Sequence, residues 1–351
     1  MTLHQTLLVE DLDHFESAQI SRAALQNCRV LVTGGTGFVG SWLLEAIQHL
    51  NRCCNLQVQL WILSRNPDRW LQTRPHLATD PAVHIIRGDV LHPEPWIHQI
   101  PAVDFVFHGA FDSGLHPGQL TPVHVLSTIV DGTRYVLQAA SRAKAKRLLF
   151  ISSGAVYGNM PPHLSSFPEN CLTGPDLLTP GAAYAEGKRV AEAWCAAFCN
   201  QHNIQFTAAR LFAFAGPYLP LDQHFAFGNF LRDAIAGGPV HIASSGHSIR
   251  SYLYGADLAL WLIKLLTSER CGSVYNVGSD EAVSIRDLAH LVSDISGCKS
   301  PPQFNSDTPN AGSTSVYVPD ISLAKSELGL EVRISLQEAI QRTLRYHMRP
   351  R

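Results

Sequence analysis

A glycine-rich run, TGGTGFVG at positions 33–40, constrains the fold of this chain more than any other feature. It follows an apolar stretch typical of a strand, residues 30–32, and precedes a stretch typical of a helix, residues 41–50. A glycine-rich motif alone is weak, but a strand before it and a helix after it are the contexts that a dinucleotide-binding turn requires. The run therefore predicts such a turn.

The glycines of this run allow the main chain to approach a pyrophosphate. Gly34 and Gly37 permit a tight turn, and Gly40 allows the helix to pack against the strand. The helix N-terminus supplies N–H donors and a positive dipole, with Phe38 and Val39 leading into it. We therefore expect these five residues to contact the cofactor.

Segments typical of strands and of helices alternate along the chain. Predicted strands cover residues 29–32, 58–63, 83–87, 105–108, 148–151 and 206–211. Predicted helices cover residues 41–50, 125–142 and 183–202. The strands are mostly continuous apolar runs, as in a parallel sheet covered on both faces. The pattern predicts an α/β fold, a Rossmann-type doubly wound parallel sheet.

Composition changes divide the chain into three predicted parts. Residues 1–27 form an N-terminal extension with a short surface helix, and residues 28–215 form the NAD(P)-binding Rossmann domain. Residues 216–351 are mainly a smaller C-terminal substrate-binding lobe, with segments near 251–278 returning to the large domain. A long loop at 161–179 has the length typical of functional lids.

Composition argues against several classes of protein. Charged residues make up 16% of the chain, the net charge is −2 and no long basic cluster occurs, so no nucleic-acid partner is expected. No apolar run reaches the roughly 18 residues of a membrane span, and no secretory signal is evident, which predicts a cytoplasmic protein without a membrane partner. The 8 cysteines lack metal-site spacing, so we expect buried thiols and no metal.

The residues after the second predicted strand bear on the choice of dinucleotide. An acid at this place would bind the ribose 2′-hydroxyl of NAD, whereas a basic residue accommodates the 2′-phosphate of NADP. The chain has Ser64, Arg65 and Asn66 there, and an arginine can bind a phosphate with two parallel hydrogen bonds. NADP is favoured slightly over NAD, since Arg65 could instead stack on the adenine.

The ends of the next two predicted strands supply further candidate cofactor contacts. Asp89, followed by Val90, is placed to accept a hydrogen bond from the adenine amino group. His108 ends the fourth strand, and the small residues Gly109 and Ala110 allow the main chain to pass the cofactor.

A phenol and an ammonium lie one helical turn apart in the sequence YAEGK. Tyr184 and Lys188 share a helix face. A tyrosine is a poor base at neutral pH, but a nearby lysine and a cationic nicotinamide both favour its phenolate. Tyr184 can thus act as a general acid/base for a sugar hydroxyl or carbonyl, with a serine hydroxyl at the end of the fifth strand.

Several motifs together resemble the extended short-chain dehydrogenase/reductase family, and within it the nucleotide-sugar epimerase/dehydratase branch. They are TGGTGFVG, SSGAVYG at 152–158, YAEGK, RLF at 210–212 with Gly216-Pro217, Arg250 followed by Asp257, and Asn276-Val277-Gly278. The resemblance implies a catalytic Ser153, Tyr184 and Lys188. Ser153 would bind the reacting oxygen, and Lys188 would bind the nicotinamide ribose. It also implies a homodimer formed through the helix that carries Tyr184.

The resemblance also constrains the reaction. The family's 4,6-dehydratases have acids directly after the catalytic serine or threonine, and its UDP-glucuronate decarboxylases keep a glutamate in this segment. Here those positions are Gly154 and Ala155. This favours an epimerase or keto-reductase that acts on the hexose of an NDP-sugar, in polysaccharide or secondary-metabolite synthesis. The alternatives are a 4,6-dehydratase that uses Glu169 or Asp176 and a non-catalytic NADP-binding regulatory protein.

Asn229 and Arg250 resemble the family's contacts to the substrate nucleotide and pyrophosphate. A guanidinium can bind a diphosphate through two hydrogen bonds, which makes Arg250 the stronger candidate. The chain departs from the family at Ile129 and at Phe212-Ala213-Phe214, where family members commonly have asparagines. We therefore expect a substrate mode that differs in detail.

Overall fold

The computed structural model describes residues 3–15, 20–111, 121–179, 181–223, 225–270, 272–304 and 315–348. Its strands, numbered along the chain, are β1 (Arg29–Thr33), β2 (Gln59–Ser64), β3 (Val83–Arg87), β4 (Phe105–His108), β5 (Arg147–Ser153), β6 (Gln205–Leu211), β7 (Ala213–Ala215), β8 (His241–Ile242), β9 (Ile249–Arg250), β10 (Tyr252–Tyr254), β11 (Ser273–Val277), β12 (Val283–Ser284), β13 (Gln303–Phe304) and β14 (Val316–Tyr317).

The α-helices, numbered in the same way, are α1 (Leu3–Leu12), α2 (Arg22–Leu25), α3 (Phe38–Cys54), α4 (Pro67–Thr73), α5 (Pro75–Ala78), α6 (Pro122–Arg142), α7 (Ala182–Gln201), α8 (Ala226–Ile235), α9 (Gly255–Thr267), α10 (Ile285–Ser296), α11 (Ser322–Leu328) and α12 (Leu336–Met348). No helix in the described part of the chain is long and apolar enough to cross a membrane.

Seven parallel strands form the central sheet in the order β11-β6-β5-β4-β1-β2-β3. The order reverses direction at β1, so the carboxyl ends of β1 and β4 meet at a topological switch point, where ligands of such sheets bind. The predicted doubly wound α/β fold is confirmed.

Two apolar cores cover the faces of this sheet. Along β1, Val30 and Val32 belong to one core and Leu31 to the other, as the alternation of side chains in a strand requires. Residues of α3 and α9 lie in the first core, and residues of α6 and α7 lie in the second. Both faces are therefore buried, which explains the continuous apolar strands.

Several predicted segments differ in their boundaries. Helix α3 begins at Phe38 rather than at 41, so Gly40 lies inside it, and β5 continues to Ser153 rather than ending at 151. The segment that begins near 251 contains the short strand β10 and then α9. Strand β11 pairs with β6 and is the edge strand of the large sheet.

The N-terminal segment was expected to form a surface helix, but three of its apolar side chains are buried. Leu8, Leu12 and Phe15 belong to the main core. Asp11 accepts hydrogen bonds from Tyr254 and from Arg342 on α12, at 2.5 and 2.6 Å. Helix α1 is therefore tied to both α12 and the strand β10.

The remaining strands form small sheets beside the large one. Strand β9 pairs with β12 on one side and with β14 on the other, and β10 pairs with β7. In the β9–β14 pair, Arg250 lies in register with Tyr317. Tyr317 of this short pair contacts Ser153 at the carboxyl end of β5.

Candidate active site

The glycine turn has no room for a side chain at Gly34, the first position of its tight turn. Gly34 has a φ of +76°, which disfavours other residues, and a Cβ there would overlap the carbonyl of Gly109 at the end of β4. A Cβ at Gly40 would likewise overlap the Gly34 carbonyl. The turn therefore leads directly into the N-terminus of α3, with close main-chain packing at Gly34 and Gly40. This is the cradle that a pyrophosphate requires, so the residues fit a bound dinucleotide.

The predicted adenosine-side residues lie at the carboxyl ends of β2 and β3. Ser64 is buried, whereas Arg65 and Asn66 are exposed immediately after β2. Asp89 uses one carboxylate oxygen to accept a 3.0 Å hydrogen bond from the Leu91 amide, while Val90 is buried in the second core. The arrangement places an exposed guanidinium where the second strand ends.

His108, a predicted cofactor contact, has a side chain enclosed by two hydroxyl groups. Its ring is bound by Thr33 Oγ1 at 2.7 Å and by Thr133 Oγ1 at 2.9 Å, and its side chain is buried. Burial lowers its pKa to about 3, with a smaller contribution from Lys188, so the ring is neutral. The ring therefore ties β1, β4 and α6 together.

Ser153 and Tyr184 meet beyond the carboxyl end of β5. Ser153 is the last residue of β5, and its Oγ accepts a 3.2 Å hydrogen bond from the Ala155 amide. Tyr184 lies in the first turn of α7, and its ring packs against Phe111 at a centroid distance of 4.8 Å. The side chain of Tyr184 thus stands beside the segment that follows β4, on the cofactor side of the sheet.

Lys188 lies one turn further along α7 and points into the protein. Its Nζ donates a 2.7 Å hydrogen bond to the Ile151 carbonyl and lies 4.8 Å from the centre of the Phe150 ring. Burial lowers the pKa of this lysine to about 8. The centre of the Tyr184 ring is 6.0 Å from Nζ.

The protonation state of Tyr184 differs from the expectation of an activated phenolate. Burial raises the pKa of Tyr184, and a hydrogen bond with Ser153 offsets only part of that rise. Because Lys188 donates to Ile151 instead of to the phenol, it does not reverse the effect of burial. Without a ligand, Tyr184 is therefore a neutral phenol, and Ser153 is the neighbour that favours its ionisation.

Gly154, which directly follows Ser153, has no room for a side chain. A Cβ at Gly154 would lie 2.6 Å from Cζ of Phe212, whose ring is buried. Phe212 packs in turn against Tyr157 and Phe167 in a small aromatic cluster. Phe212, which stands where family members commonly have an asparagine-containing segment, thus fills the space beside Gly154.

The loop carboxylates considered for dehydration have other partners. Glu169 accepts a 2.8 Å hydrogen bond from the Asn276 amide, and burial raises its pKa. Asp176 is exposed and caps a turn by accepting from the Leu178 amide. Neither carboxylate has a described contact with Ser153 or Tyr184 among the residues that the structure covers.

The two predicted substrate residues lie in different places. Arg250 is half-buried, and its Nη1 donates to the carbonyls of Ile249 and Ser315 at 2.7 and 2.9 Å. Its guanidinium is 5.8 Å from the centre of the Tyr317 ring, and the Tyr317 hydroxyl lies 3.4 Å from Ser153 Oγ. Asn229, on α8, accepts from Arg232 Nη1 at 3.2 Å, and no contact in the described ranges joins it to Ser153 or Tyr184.

Sequence reasoning missed a buried polar network behind the site. Glu192 accepts a hydrogen bond from Ser152 and two from Arg210, at 3.0 and 2.7 Å. Arg210 also donates to Tyr157 OH at 3.0 Å, and Tyr157 donates to Asn276 at 2.8 Å. The only available signal was spacing, since Glu192 follows Lys188 by one helical turn.

Tyr317 was also missed. Its hydroxyl lies 3.4 Å from Ser153 Oγ and 3.3 Å from the Leu211 carbonyl. Nothing in the local sequence distinguishes this residue, which is 164 positions from Ser153 and lies in a two-residue strand.

Metal ligands are not clustered in the described part of the chain. No group of three or more His, Cys, Asp or Glu side chains there could bind a metal ion. Cys28, Cys195 and Cys199 are buried thiols, while Cys271 lies outside the described residues.

Comparison with known proteins agrees with this geometry. The chain is 30% identical to UDP-glucuronic acid decarboxylase 1 of Xenopus tropicalis over 319 residues, which is 91% of this chain and 72% of that protein. Among solved structures it resembles a UDP-glucose 4-epimerase of Thermotoga maritima, with a TM-score of 0.77 and 21% identity over 91% of this chain and 98% of the other.

A dTDP-glucose 4,6-dehydratase of Streptomyces venezuelae, solved with NAD bound, also has a TM-score of 0.77. Its identity is 22%, over 91% of this chain and 96% of the other. These two structural similarities show the fold. Residues 30–278, which contain the glycine turn and the Ser153, Tyr184 and Lys188 constellation, match the NAD dependent epimerase/dehydratase family, and the chain belongs to this family.

Proposed function

We propose that this protein is an NAD(P)-dependent epimerase or keto-reductase that acts on the hexose of a nucleotide sugar. The observation that carries the proposal is the crowding at Gly154, where Phe212 occupies the space that a catalytic acid would need. Ser153 and Tyr184 then supply the hydroxyl groups at the reacting oxygen. One proton-transferring pair and a hydride carrier are sufficient for reduction of a ketone or for inversion of a carbinol.

The roles of the side chains follow from their positions. Tyr184 would take the proton of the sugar hydroxyl during oxidation and return it during reduction. Ser153 would bind the same oxygen, and Lys188, held by the Ile151 carbonyl, would contribute positive charge below a pH of about 8. A nicotinamide, when bound, accepts the hydride and returns it. In an epimerase the hydride returns to the opposite face of the ring carbon.

Decarboxylation of a nucleotide uronate is a second candidate, supported by the relative that is a UDP-glucuronic acid decarboxylase. Oxidation of the ring hydroxyl next to the carbon that bears the carboxylate gives a β-keto acid. Such an acid loses carbon dioxide without a general acid at position 154, so the crowding by Phe212 does not argue against this reaction.

Incubation with a panel of nucleotide sugars distinguishes these activities. We expect a UDP-, dTDP-, CDP- or GDP-hexose to be converted into an isomer of unchanged mass, or the corresponding keto sugar to be reduced in an NADPH-dependent reaction. Mass spectrometry and NMR of the products would identify them. A 4-keto-6-deoxy product would contradict the proposal in favour of a dehydratase, and a UDP-pentose formed from UDP-glucuronate would favour the decarboxylase.

NADP is the cofactor that the end of β2 favours. Arg65→Asp should shift the binding preference toward NAD by about 10- to 100-fold, the equivalent of losing a hydrogen bond to a charged group worth ~1.5–3 kcal/mol. Isothermal titration with NADP+ and NAD+ would measure both affinities. Arg69→Asp, an exposed arginine on α4, is the matched control. An unchanged ratio in Arg65→Asp would show that Arg65 does not contact the 2′-phosphate.

A homodimer is supported by apolar side chains left exposed on α6 and α7, which pack against each other. Val123 and Leu126 on α6, and Val190 and Trp194 on α7, are 72%, 37%, 44% and 38% exposed. We expect light scattering to give twice the chain mass and Trp194→Glu to reduce it to one. A wild-type protein with the mass of a single chain would contradict the dimer.

A further inference from the structure

We propose that Tyr317 is a positioning residue for Ser153, through which the strand pair β9–β14 is linked to the reacting end of β5. The contact that carries this inference is the 3.4 Å separation of the Tyr317 and Ser153 hydroxyl oxygens. The inference rests on the proposed function, because it concerns the group that would bind the reacting oxygen.

We assign the single proton of Tyr317 to the Leu211 carbonyl, 3.3 Å away. The contact with Ser153, at 3.4 Å, is geometrically compatible with either hydroxyl as donor. With the Tyr317 proton on Leu211, the Tyr317 oxygen is the acceptor toward Ser153. Ser153 Oγ itself accepts from the Ala155 amide at 3.2 Å. The Ser153 proton then has two neighbouring phenols as acceptors when no substrate is present, Tyr317 and Tyr184.

Ser153 thus lies between two phenols that compete for its single proton. Tyr184 is the other, and its pKa is lowered when Ser153 hydrogen-bonds to it. The contact with Tyr317 is longer than a full hydrogen bond, as is common for catalytic contacts before the substrate is bound. A substrate oxygen that accepts a hydrogen bond from Ser153 would take the Ser153 proton from Tyr317 and complete the hydrogen bonding at the reacting oxygen.

The strand register connects this contact to the predicted diphosphate site. Tyr317 is paired with Arg250 across β9 and β14, and the Arg250 guanidinium lies 5.8 Å from the Tyr317 ring. The ring is further held by Phe212, at a centroid distance of 4.6 Å. Arg250 and Tyr317 therefore belong to one pair of strands. A movement of Arg250 toward a diphosphate would also move Tyr317, which contacts Ser153.

The charged and titratable groups around the two phenols come from three elements. Lys188 on α7 lies 6.0 Å from the Tyr184 ring, Arg250 on β9 lies near the Tyr317 ring, and Tyr184 raises the pKa of Tyr317 on β14. Burial raises the pKa of Tyr317, so this phenol keeps its proton at neutral pH and remains a neutral hydrogen-bonding group.

Tyr317→Phe tests the proposal because it keeps the ring against Phe212 and removes only the hydroxyl. The Ser153 proton would then be available to Tyr184 alone, so the pKa of Tyr184 should fall. Titration of protein labelled with carbon-13 at the tyrosine ζ position, with and without NADP+, would measure it, and Tyr184→Phe would assign the resonance. In a Ser153→Ala background, Tyr317→Phe should leave the pKa of Tyr184 unchanged.

Activity is measured with the nucleotide sugar that the protein converts. Tyr317→Phe should lower kcat by about 10- to 100-fold with little change in KM, because misplacing a group at the reacting oxygen lowers the rate by a factor of that order. Tyr252→Phe, a buried tyrosine of β10 near Arg250, is the control and should change neither quantity. An unchanged pKa of Tyr184 in Tyr317→Phe, or the same shift without Ser153, would overturn the proposal. Since the titration needs no substrate, it decides the matter even if no nucleotide sugar is turned over.

Discussion

Tyr184→Phe is expected to lower turnover by about 10²- to 10⁴-fold, the usual contribution of a general acid/base. The substitution removes the phenol hydroxyl that hydrogen-bonds with Ser153 at the end of β5. The ring keeps its contact with Phe111, so the fold and the cofactor turn should be unaffected. Cofactor affinity, measured by fluorescence titration with NADPH, should therefore stay nearly constant while product formation is lost.

Tyr135→Phe is the matched control for this experiment. Tyr135 lies on α6, and its hydroxyl accepts a hydrogen bond from the neighbouring Arg134 at 3.1 Å. Loss of that hydroxyl should leave turnover unchanged. Full activity in Tyr184→Phe would exclude the proposed role of the phenol, and a wild-type protein that binds NADPH but converts no nucleotide sugar would favour a non-catalytic, regulatory role.

The central sheet was predictable because its signal is local. Each strand is a short apolar run flanked by turn residues, and burial on both faces requires such a run. The lobe was much less predictable, since its strands are two or three residues long and pair with partners far away in the sequence. Propensity carries little information over so few residues.

The residues of the candidate site were likewise predictable only where their signal is local. Tyr184 and Lys188 were identified because a helix fixes the spacing between them, and Ser153 because it ends a strand. Tyr317 reaches Ser153 only through the pairing of β14 with β9, which no local pattern indicates. His108 follows the strand rule as well, yet two hydroxyl groups enclose its ring, and only the packing shows this.

The apolar pattern along α7 does not by itself show which face of this helix is buried. Val190, Ala193, Trp194 and Ala197 form an apolar flank of this helix, and by sequence core packing explains such a flank almost as well as a partner surface does. The structure buries the other face, where Ala191, Cys195 and Cys199 belong to the second core. The flank is therefore exposed, which a period of 3.6 residues alone could not determine because both faces carry apolar residues.

The buried pair of Arg210 and Glu192 leads to the second large expected effect, on stability. The two side chains are only 15% and 11% exposed, and the hydrogen bonds of Glu192 with Arg210 raise the pKa of the guanidinium despite its burial. Arg210→Met would leave the Glu192 carboxylate buried without its cation. Breaking a buried pair in this way typically costs about 3–5 kcal/mol of unfolding free energy. Equilibrium unfolding in urea would measure the loss.

The control is Arg87→Met, which removes an arginine whose side chain is 59% exposed and paired with Asp68, itself 66% exposed. Such a surface pair contributes about 0–1 kcal/mol, so the two variants should differ clearly. Adding Glu192→Gln to Arg210→Met should restore part of the lost stability, because the buried charge is then gone while Ser152 can still hydrogen-bond to the amide. If the double variant were less stable than Arg210→Met, Glu192 would have to be stabilised by groups other than Arg210. The network behind Ser152 and Ser153 would then not depend on this ion pair.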